Sequence, residues 1–246
     1  KTILIYLSIL TAASTAAHAL SYVEATLSAF TGGQQALIEV RIDELLGGDL
    51  QVKLDVIDNP GSAGTGIGDL RGWWSQISNE SLLPGLSLIP VSWSGLNAPA
   101  TVDIVGTFGP ANGVNDLGNG NNLNGGGTPA PLDFGVDVGT PGIGTDDIQH
   151  AIFNLHHSSV ALSVSLFDGQ VMGGRLTSLG ASSRGDSSKL KGTGTMFTIA
   201  DPIPQPVPDG GSTALLFGTS LVGLVLLRLR NCANQRACAP SVVRHS

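Results

Sequence analysis

The side chains that could bind a metal ion or a sugar are few, and one pair of carboxylates is the clearest of them. Asp146 and Asp147 follow a glycine turn at residues 142–144, and carboxylate oxygens are ligands that Ca²⁺ prefers. Their spacing matches neither an EF-hand loop nor a calcium-binding nonapeptide repeat. Two interpretations therefore stay open, a calcium site or ordinary turn chemistry, and no other cofactor is predicted.

Histidines and tryptophans form the other candidate groups. His150 and His156 share a parity on a predicted strand but lie about 20 Å apart at the rise of an extended chain, too far for one metal ion. Adjacent Trp73 and Trp74 point to opposite faces of a strand, so one of them could be exposed and form a sugar-stacking platform with Trp93. Core packing is the favoured interpretation for the tryptophans.

No catalytic pattern stands out. The sequence contains no Gly-x-Ser-x-Gly, His-Glu-x-x-His or phosphate-loop motif, so we predict a protein without catalytic activity. All 19 acidic residues lie between Leu20 and Asp209, whereas Lys1 and four arginines near the C-terminus place much of the basic charge at the ends. An acidic body disfavours nucleic acid as a partner.

Alternating apolar and polar residues predict the fold class. Residues 36–45 and 49–57 alternate, and Gly47-Gly48 between them is typical of a hairpin turn. Further predicted strands span 70–77, 86–93, 100–105, 132–138, 148–155, 160–167, 171–179 and 195–199. Many short strands separated by turns predict an all-β domain over residues 20–200, a β-sandwich or jelly roll.

Two segments interrupt this pattern. Residues 109–131 are rich in Gly and Asn and predict a long loop, and such loops are functional or mobile. Residues 201–206 open a stretch with proline at alternate positions, which predicts a stiff spacer. Both cysteines, Cys232 and Cys238, lie beyond these segments, so the β domain must depend on its core rather than on disulfides.

Both ends of the chain are predicted to be targeting segments. Residues 1–19 have a basic start, a short apolar run and small residues ending in Ala17-His18-Ala19, which predicts a signal-peptide helix cleaved after Ala19. Residues 212–227 carry no charge and predict a transmembrane helix. Arg228 and Arg230 follow at once, which places the tail, residues 231–246, in the cytoplasm.

The C-terminal pattern resembles a known sorting signal. Val207, Pro208, Asp209, Gly210 and Gly211, followed by the apolar span and the two arginines, resemble the PEP-CTERM sorting domain in its VPDGG variant. The resemblance implies that the sorting signal, residues 207–230, is recognised by an exosortase, a membrane enzyme for which these residues are substrate rather than catalyst. It implies delivery to the cell surface or the extracellular matrix, with exopolysaccharide as an expected partner.

The expectation is therefore an exported protein anchored in the inner membrane through its C-terminal helix and then passed to the cell surface or beyond. The alternative is a surface module that binds carbohydrate or calcium. The two differ in whether the β domain carries a ligand site.

Overall fold

The computed structural model describes residues 20–32, 36–59, 68–96, 98–125, 127, 129, 131–140, 147–179 and 186–199. Eleven strands form within these ranges: β1 (Leu20–Gly32), β2 (Ala36–Glu44), β3 (Leu50–Asp58), β4 (Asp69–Ser75), β5 (Leu86–Gly95), β6 (Ile104–Phe108), β7 (Phe134–Val138), β8 (Ile148–His157), β9 (Val171–Leu179), β10 (Asp186–Thr193) and β11 (Thr195–Ile199). Two short 3-10 helices, Glu80–Gly85 and Val164–Phe167, join them. The prediction of an all-β domain is confirmed.

The long strand β1 connects two antiparallel sheets. Its first half pairs with β2 and β11, and its second half, from Ser28, pairs with β10. The strand order is β5-β8-β3-β2-β1-β10-β9-β4-β7-β6. We call the part from β5 to the first half of β1, with β11, the first sheet, and the part from the second half of β1 to β6 the second sheet.

The apolar core lies between the two sheets and centres on Trp73 of β4. Its ring packs edge-on against Phe134 of the second sheet, with centroids 5.5 Å apart. It also contacts Phe153 of the first sheet at 5.9 Å. Trp73 is fully buried, and burying a large aromatic side chain is one of the larger single contributions to a core.

The hairpin between β2 and β3 forms as predicted. Gly47 and Gly48 both have positive φ, 113° and 89°, a conformation that glycine adopts without steric cost. The amide of Leu45 donates to the carbonyl of Asp49 at 2.9 Å and closes the turn. Burial alternates along both strands, as the period of two requires.

Strand β4 differs from this alternation, because every one of its residues is buried. Trp73 and Trp74 do point to opposite faces, but neither is exposed. The favoured interpretation, core packing, therefore holds for both, and the alternative of one exposed tryptophan does not. The outer face of β4 is covered by residues of the 109–131 segment, and Trp74 packs there with Val114, Leu123 and Leu132. A covering loop, which strand periodicity does not reveal, removes the solvent-exposed side.

Glycines on β9 let the covering loop and the first sheet each pack closely against the second sheet. A Cβ on Gly173 would lie 2.3 Å from Cδ1 of Leu123 in the covering loop, and one on Gly174 would lie 2.5 Å from Cδ1 of Ile38 in the first sheet. Real side chains do not tolerate such distances. The consecutive glycines therefore permit packing on both faces of the same strand.

Two predicted strands differ from the structure, and two strands were missed. Residues 160–167 form an irregular segment and the 3-10 helix Val164–Phe167, because Oε1 of Glu44 accepts from the Ser163 hydroxyl at 2.8 Å and the Val164 amide at 3.0 Å. The strand expected at 100–105 forms as Ile104–Phe108. Strands β1 and β10 were not predicted at all, although β1 alternates and buries Val23 and Leu27.

Candidate functional site

The two ends of the described domain lie side by side. Leu20, the first residue after the predicted cleavage site, pairs with Ile199, the last residue of β11. The predicted cleavage residues Ala17 and Ala19 precede the described residues. The predicted sorting residues, Val207 to Gly211 with Arg228 and Arg230, follow them. The structure thus places both ends of the described β domain at one edge of the first sheet.

The Gly/Asn-rich segment is an ordered cover in its described part rather than a free loop. Leu117 and Leu123 amides donate to the carbonyls of Asn121 at 2.8 Å and Asn115 at 3.0 Å. Asn119, with φ 50°, occupies the left-handed region that asparagine tolerates better than most residues. The abundance of Asn and Gly in this segment therefore follows from its tight turns.

A buried carboxylate fastens the beginning of this cover to the sheet. Asp133 is 1% exposed. Its Oδ2 accepts from the Ile77 amide at 2.8 Å, and its Oδ1 accepts from the Asn112 amide at 2.7 Å. A carboxylate that accepts two backbone N–H groups satisfies donors that burial would otherwise leave unpaired.

A second polar cluster lies under the middle of the cover. Arg71, almost fully buried, donates to the carbonyl of Val138 at 2.5 Å and to the carboxylate of Asp137 at 3.2 Å. Asn121 donates to the same carboxylate at 2.6 Å. Burial raises the pKa of Asp137, and the hydrogen bond from Asn121 and the charge of Arg71 act against that rise.

Two basic residues of the second sheet hold the cover through its oxygen atoms. Arg175 on β9 donates through Nη1 to the carbonyls of Gly120 and Asn122. Lys189 on β10 donates to Oδ1 of Asn122 at 3.0 Å and to the carbonyl of Asn124. These acceptors are neutral, so the contacts compensate the positive charges only in part.

The pKa values of Arg175 and Lys189 respond to this partial compensation of their charges. Burial, followed by the positive charge of Arg71, lowers the pKa of Arg175. Burial, followed by the charge of Arg175, lowers the pKa of Lys189. Asp116 acts in the opposite direction on both. The outer face of the second sheet is thus a place where positive charge is concentrated.

The predicted histidines lie on the outer face of the first sheet. Nδ1 of His150 lies 2.5 Å from a carboxylate oxygen of Asp55, and Nδ1 of His156 lies 2.7 Å from one of Asp49. Each pair joins β8 to β3 or to the residue before it. Both histidines are about half exposed, and each one's nearest charged partner is an aspartate rather than the other histidine.

The carboxylate pair proposed for calcium is only half described. Asp147 is 1% exposed and directly precedes β8, whereas Asp146 lies outside the described residues. Within the described ranges no three His, Cys, Asp or Glu side chains come together as metal ligands. The calcium site stays a prediction.

Tryptophan offers no sugar-stacking platform on β4, because Trp73 and Trp74 are buried. Trp93 on β5 is half-buried, and its indole N–H donates to the carbonyl of Pro99 at 3.0 Å. Two of the three tryptophans that could stack on a sugar are therefore core residues, as the favoured interpretation held.

Comparison with known proteins identifies the C-terminal segment. Residues 206–230 match the VPDSG-CTERM motif, with Gly210 at the position of the serine in its name. The segment is a PEP-CTERM-like exosortase sorting signal. No curated protein and no solved structure matches the chain.

The sorting signal marks an exported protein that associates with the membrane and is handled by an exosortase-type system. Among the residues that the structure describes, no helix is long and apolar enough to cross a membrane. The predicted span, residues 212–227, lies outside them.

Sequence reasoning missed the basic residues of the second sheet. Arg71 on β4 is distant in the sequence from Arg175 on β9 and Lys189 on β10, and the proximity of the three depends on the strand order and on the register of β9 with β10. One local signal was present, since Lys189 and Lys191 flank the buried Leu190. That alternation predicts a strand with both lysines on one face.

Proposed function

We propose that this chain is a non-enzymatic surface or matrix protein whose β domain is the cargo of an exosortase-type sorting system. The match of residues 206–230 to the VPDSG-CTERM motif carries this proposal. The sorting segment acts as substrate: the enzyme cleaves within or after Val207–Gly211, and the β domain is released from its anchor to the cell surface or to the exopolysaccharide outside it.

The position of the two ends of the described β domain supports a role in which the domain is displayed at the cell surface. Leu20 and Ile199 pair at one edge of the first sheet, so a domain attached through its C-terminal end presents the rest of its surface away from the attachment point. Seven residues separate Ile199 from Val207, and they include Pro202, Pro204 and Pro206. Proline-rich segments behave as semi-rigid spacers, which suits an accessible processing site.

Substitution within the motif tests the proposal in the native host. We expect Pro208→Ala with Asp209→Ala to abolish processing, so that a full-size protein accumulates in the membrane fraction while the wild type appears as a shorter surface product. Pro204→Ala, in the spacer before the matched residues, is the matched control and should be processed normally. Immunoblots of fractionated cells and the intact mass of the surface form provide the measurement.

An unchanged size and location in the double variant would contradict the sorting role. Normal processing together with a measurable catalytic turnover of the purified β domain would contradict only the non-enzymatic part.

A further inference from the structure

The half-buried and exposed basic residues on the two outer faces of the β domain differ in the partners that they have. On the first sheet, Arg41 contacts Glu24 at 3.0 Å and Asp43 at 2.9 Å, and Lys53 contacts Asp43 at 2.9 Å. Each of these cations therefore has a carboxylate partner. This is the ordinary arrangement on the surface of an acidic protein.

The second sheet carries a row of three cations that have no such carboxylate partner within the described ranges. Arg175 and Lys189 are directly opposite each other across β9 and β10, and Lys191 lies two residues further along β10 on the same face. Among the described residues, no carboxylate lies within 4.0 Å of any of the three. Like charges directly opposite on neighbouring strands destabilise a sheet, and the neutral oxygens of the covering loop compensate this charge only in part.

The covering loop uses only part of the hydrogen-bonding capacity of the row. A guanidinium group has five N–H donors and an ammonium group has three. Arg175 donates to described residues through Nη1 alone, and Lys191 donates to one carbonyl, that of Gly127, at 3.2 Å. Lys191 is exposed, so donors remain available at the open end of the row.

A groove of about 420 Å³ lies at this end. Lys191 lines it together with Ser28, which is directly opposite on β1, and Thr193, which is the next residue of β10 on the same face. Pro129 of the covering loop and Val171 form other parts of its wall. The groove thus offers an ammonium group, two side chains with hydroxyl groups and apolar contact.

We propose that the row Arg175, Lys189 and Lys191, with the adjoining groove, is a binding site for an oxyanion group such as a sulfate, phosphate or carboxylate of an extracellular ligand. The ammonium group of Lys191 and the hydroxyls of Ser28 and Thr193 contact the anion. Arg175 and Lys189 supply positive charge from the covered part of the row, where low solvent access strengthens electrostatic attraction. The site is independent of the sorting signal.

Calorimetric titration of the purified full-length chain tests the site, with inorganic sulfate, inorganic phosphate and acetate as probes at constant ionic strength. We expect saturable binding. If the ligand carries a sulfate or phosphate ester, sulfate and phosphate should bind with higher affinity than acetate. If the ligand carries a carboxylate, acetate should bind with comparable affinity. Lys191→Met should weaken binding at least threefold, and Lys191→Arg should restore most of it. The double substitution of Arg175 and Lys189 by Met should weaken it at least tenfold.

The double substitution of Arg41 and Lys53 by Met is the matched control, because it removes the same charge from the opposite face. It should change the affinity less than twofold. Amide chemical shifts of Ser28 and Thr193 should move with the same saturation curve. Binding that does not saturate, or that weakens equally in both double variants, would show a general ion effect and overturn the proposal. Because Lys191 is exposed, we expect its substitutions to leave the domain folded. They therefore test the site even if the double substitution of Arg175 and Lys189 by Met unfolds the domain.

Discussion

The outer faces of the two sheets differ in how they meet solvent. The first sheet meets solvent directly and covers its face with short cross-strand pairs, such as His150 with Asp55 and Lys53 with Asp43. The second sheet carries Trp74 on its outer face and is covered by the Gly/Asn-rich loop. A solvated face needs only cross-strand polar pairs, whereas a large aromatic on an outer face requires a second layer. Where that layer consists of loop backbone, its carbonyls become the partners of nearby cations.

Three polar atoms show that the hydrogen bonding of this second layer is incomplete. Nε1 of Trp74, Oδ1 of Asn115 and Oδ1 of Asn121 are buried without a hydrogen-bond partner among the described residues. Each such atom costs about 1–3 kcal/mol. The two faces therefore also differ in their contributions to the free energy of unfolding. On the covered face, favourable apolar packing is opposed by the cost of buried polar atoms without hydrogen bonds.

Removing the aromatic anchor should have the largest effect. We expect Trp74→Ala to lower the free energy of unfolding by about 3–5 kcal/mol, the range for aromatic-to-alanine changes in a core. Ile152→Ala, at a half-buried outer position of the first sheet, should cost about 1 kcal/mol or less. Denaturant unfolding of the two variants is the measurement. Equal losses of unfolding free energy in the two variants would mean that the covering loop does not bury Trp74 in a stabilising apolar cluster.

Removing the carboxylate that fastens the cover should have a smaller effect. Asp133→Ala leaves the buried amide of Ile77 and the partly buried amide of Asn112 without their acceptor. We expect a loss of about 1–3 kcal/mol and faster hydrogen exchange at both amides. Asp168→Ala, which removes an exposed acceptor of the Met196 amide on the first sheet, should stay within about 0.5 kcal/mol. The comparison fails if the two variants lose similar stability.

The smallest effect concerns pH. Burial and the charge of Arg175 lower the pKa of Lys189 below its ordinary value of 10.5. Between the lowered value and 10.5 the unfolded chain binds more protons than the folded chain, so the free energy of unfolding rises with pH in that window. Wild type should gain stability relative to Lys189→Met as the pH rises through the window that ends at 10.5. Parallel stability curves for the two proteins would contradict this cause.

Local pattern predicted the elements whose geometry is local. The Gly47-Gly48 turn and the flanking strands follow from alternation and turn chemistry, and the opposite orientation of Trp73 and Trp74 follows from the strand period. Residues 160–167 alternate equally well but form an irregular segment and a 3-10 helix, because Glu44, distant in the sequence, caps that helix. Periodicity does not reveal such a partner.

The candidate sites divide in the same way. The sorting signal is a continuous motif, so its residues were identified without any knowledge of the fold. The row of Arg175, Lys189 and Lys191 was not identified, since it depends on the pairing of β9 with β10 and on the placement of a loop some 50 residues earlier in the chain.

The sequence by itself determined the all-β class and the sorting signal, because strand alternation and recognition motifs are properties of neighbouring residues. Only the tertiary structure decided that Leu20 lies beside Ile199, that Trp74 is covered and that three cations lie in a row with no carboxylate partner among the described residues. The first two depend on contacts between segments far apart in the chain. The third depends on the register of β9 with β10 and on where the covering loop lies, and the packing of the whole domain selects such contacts.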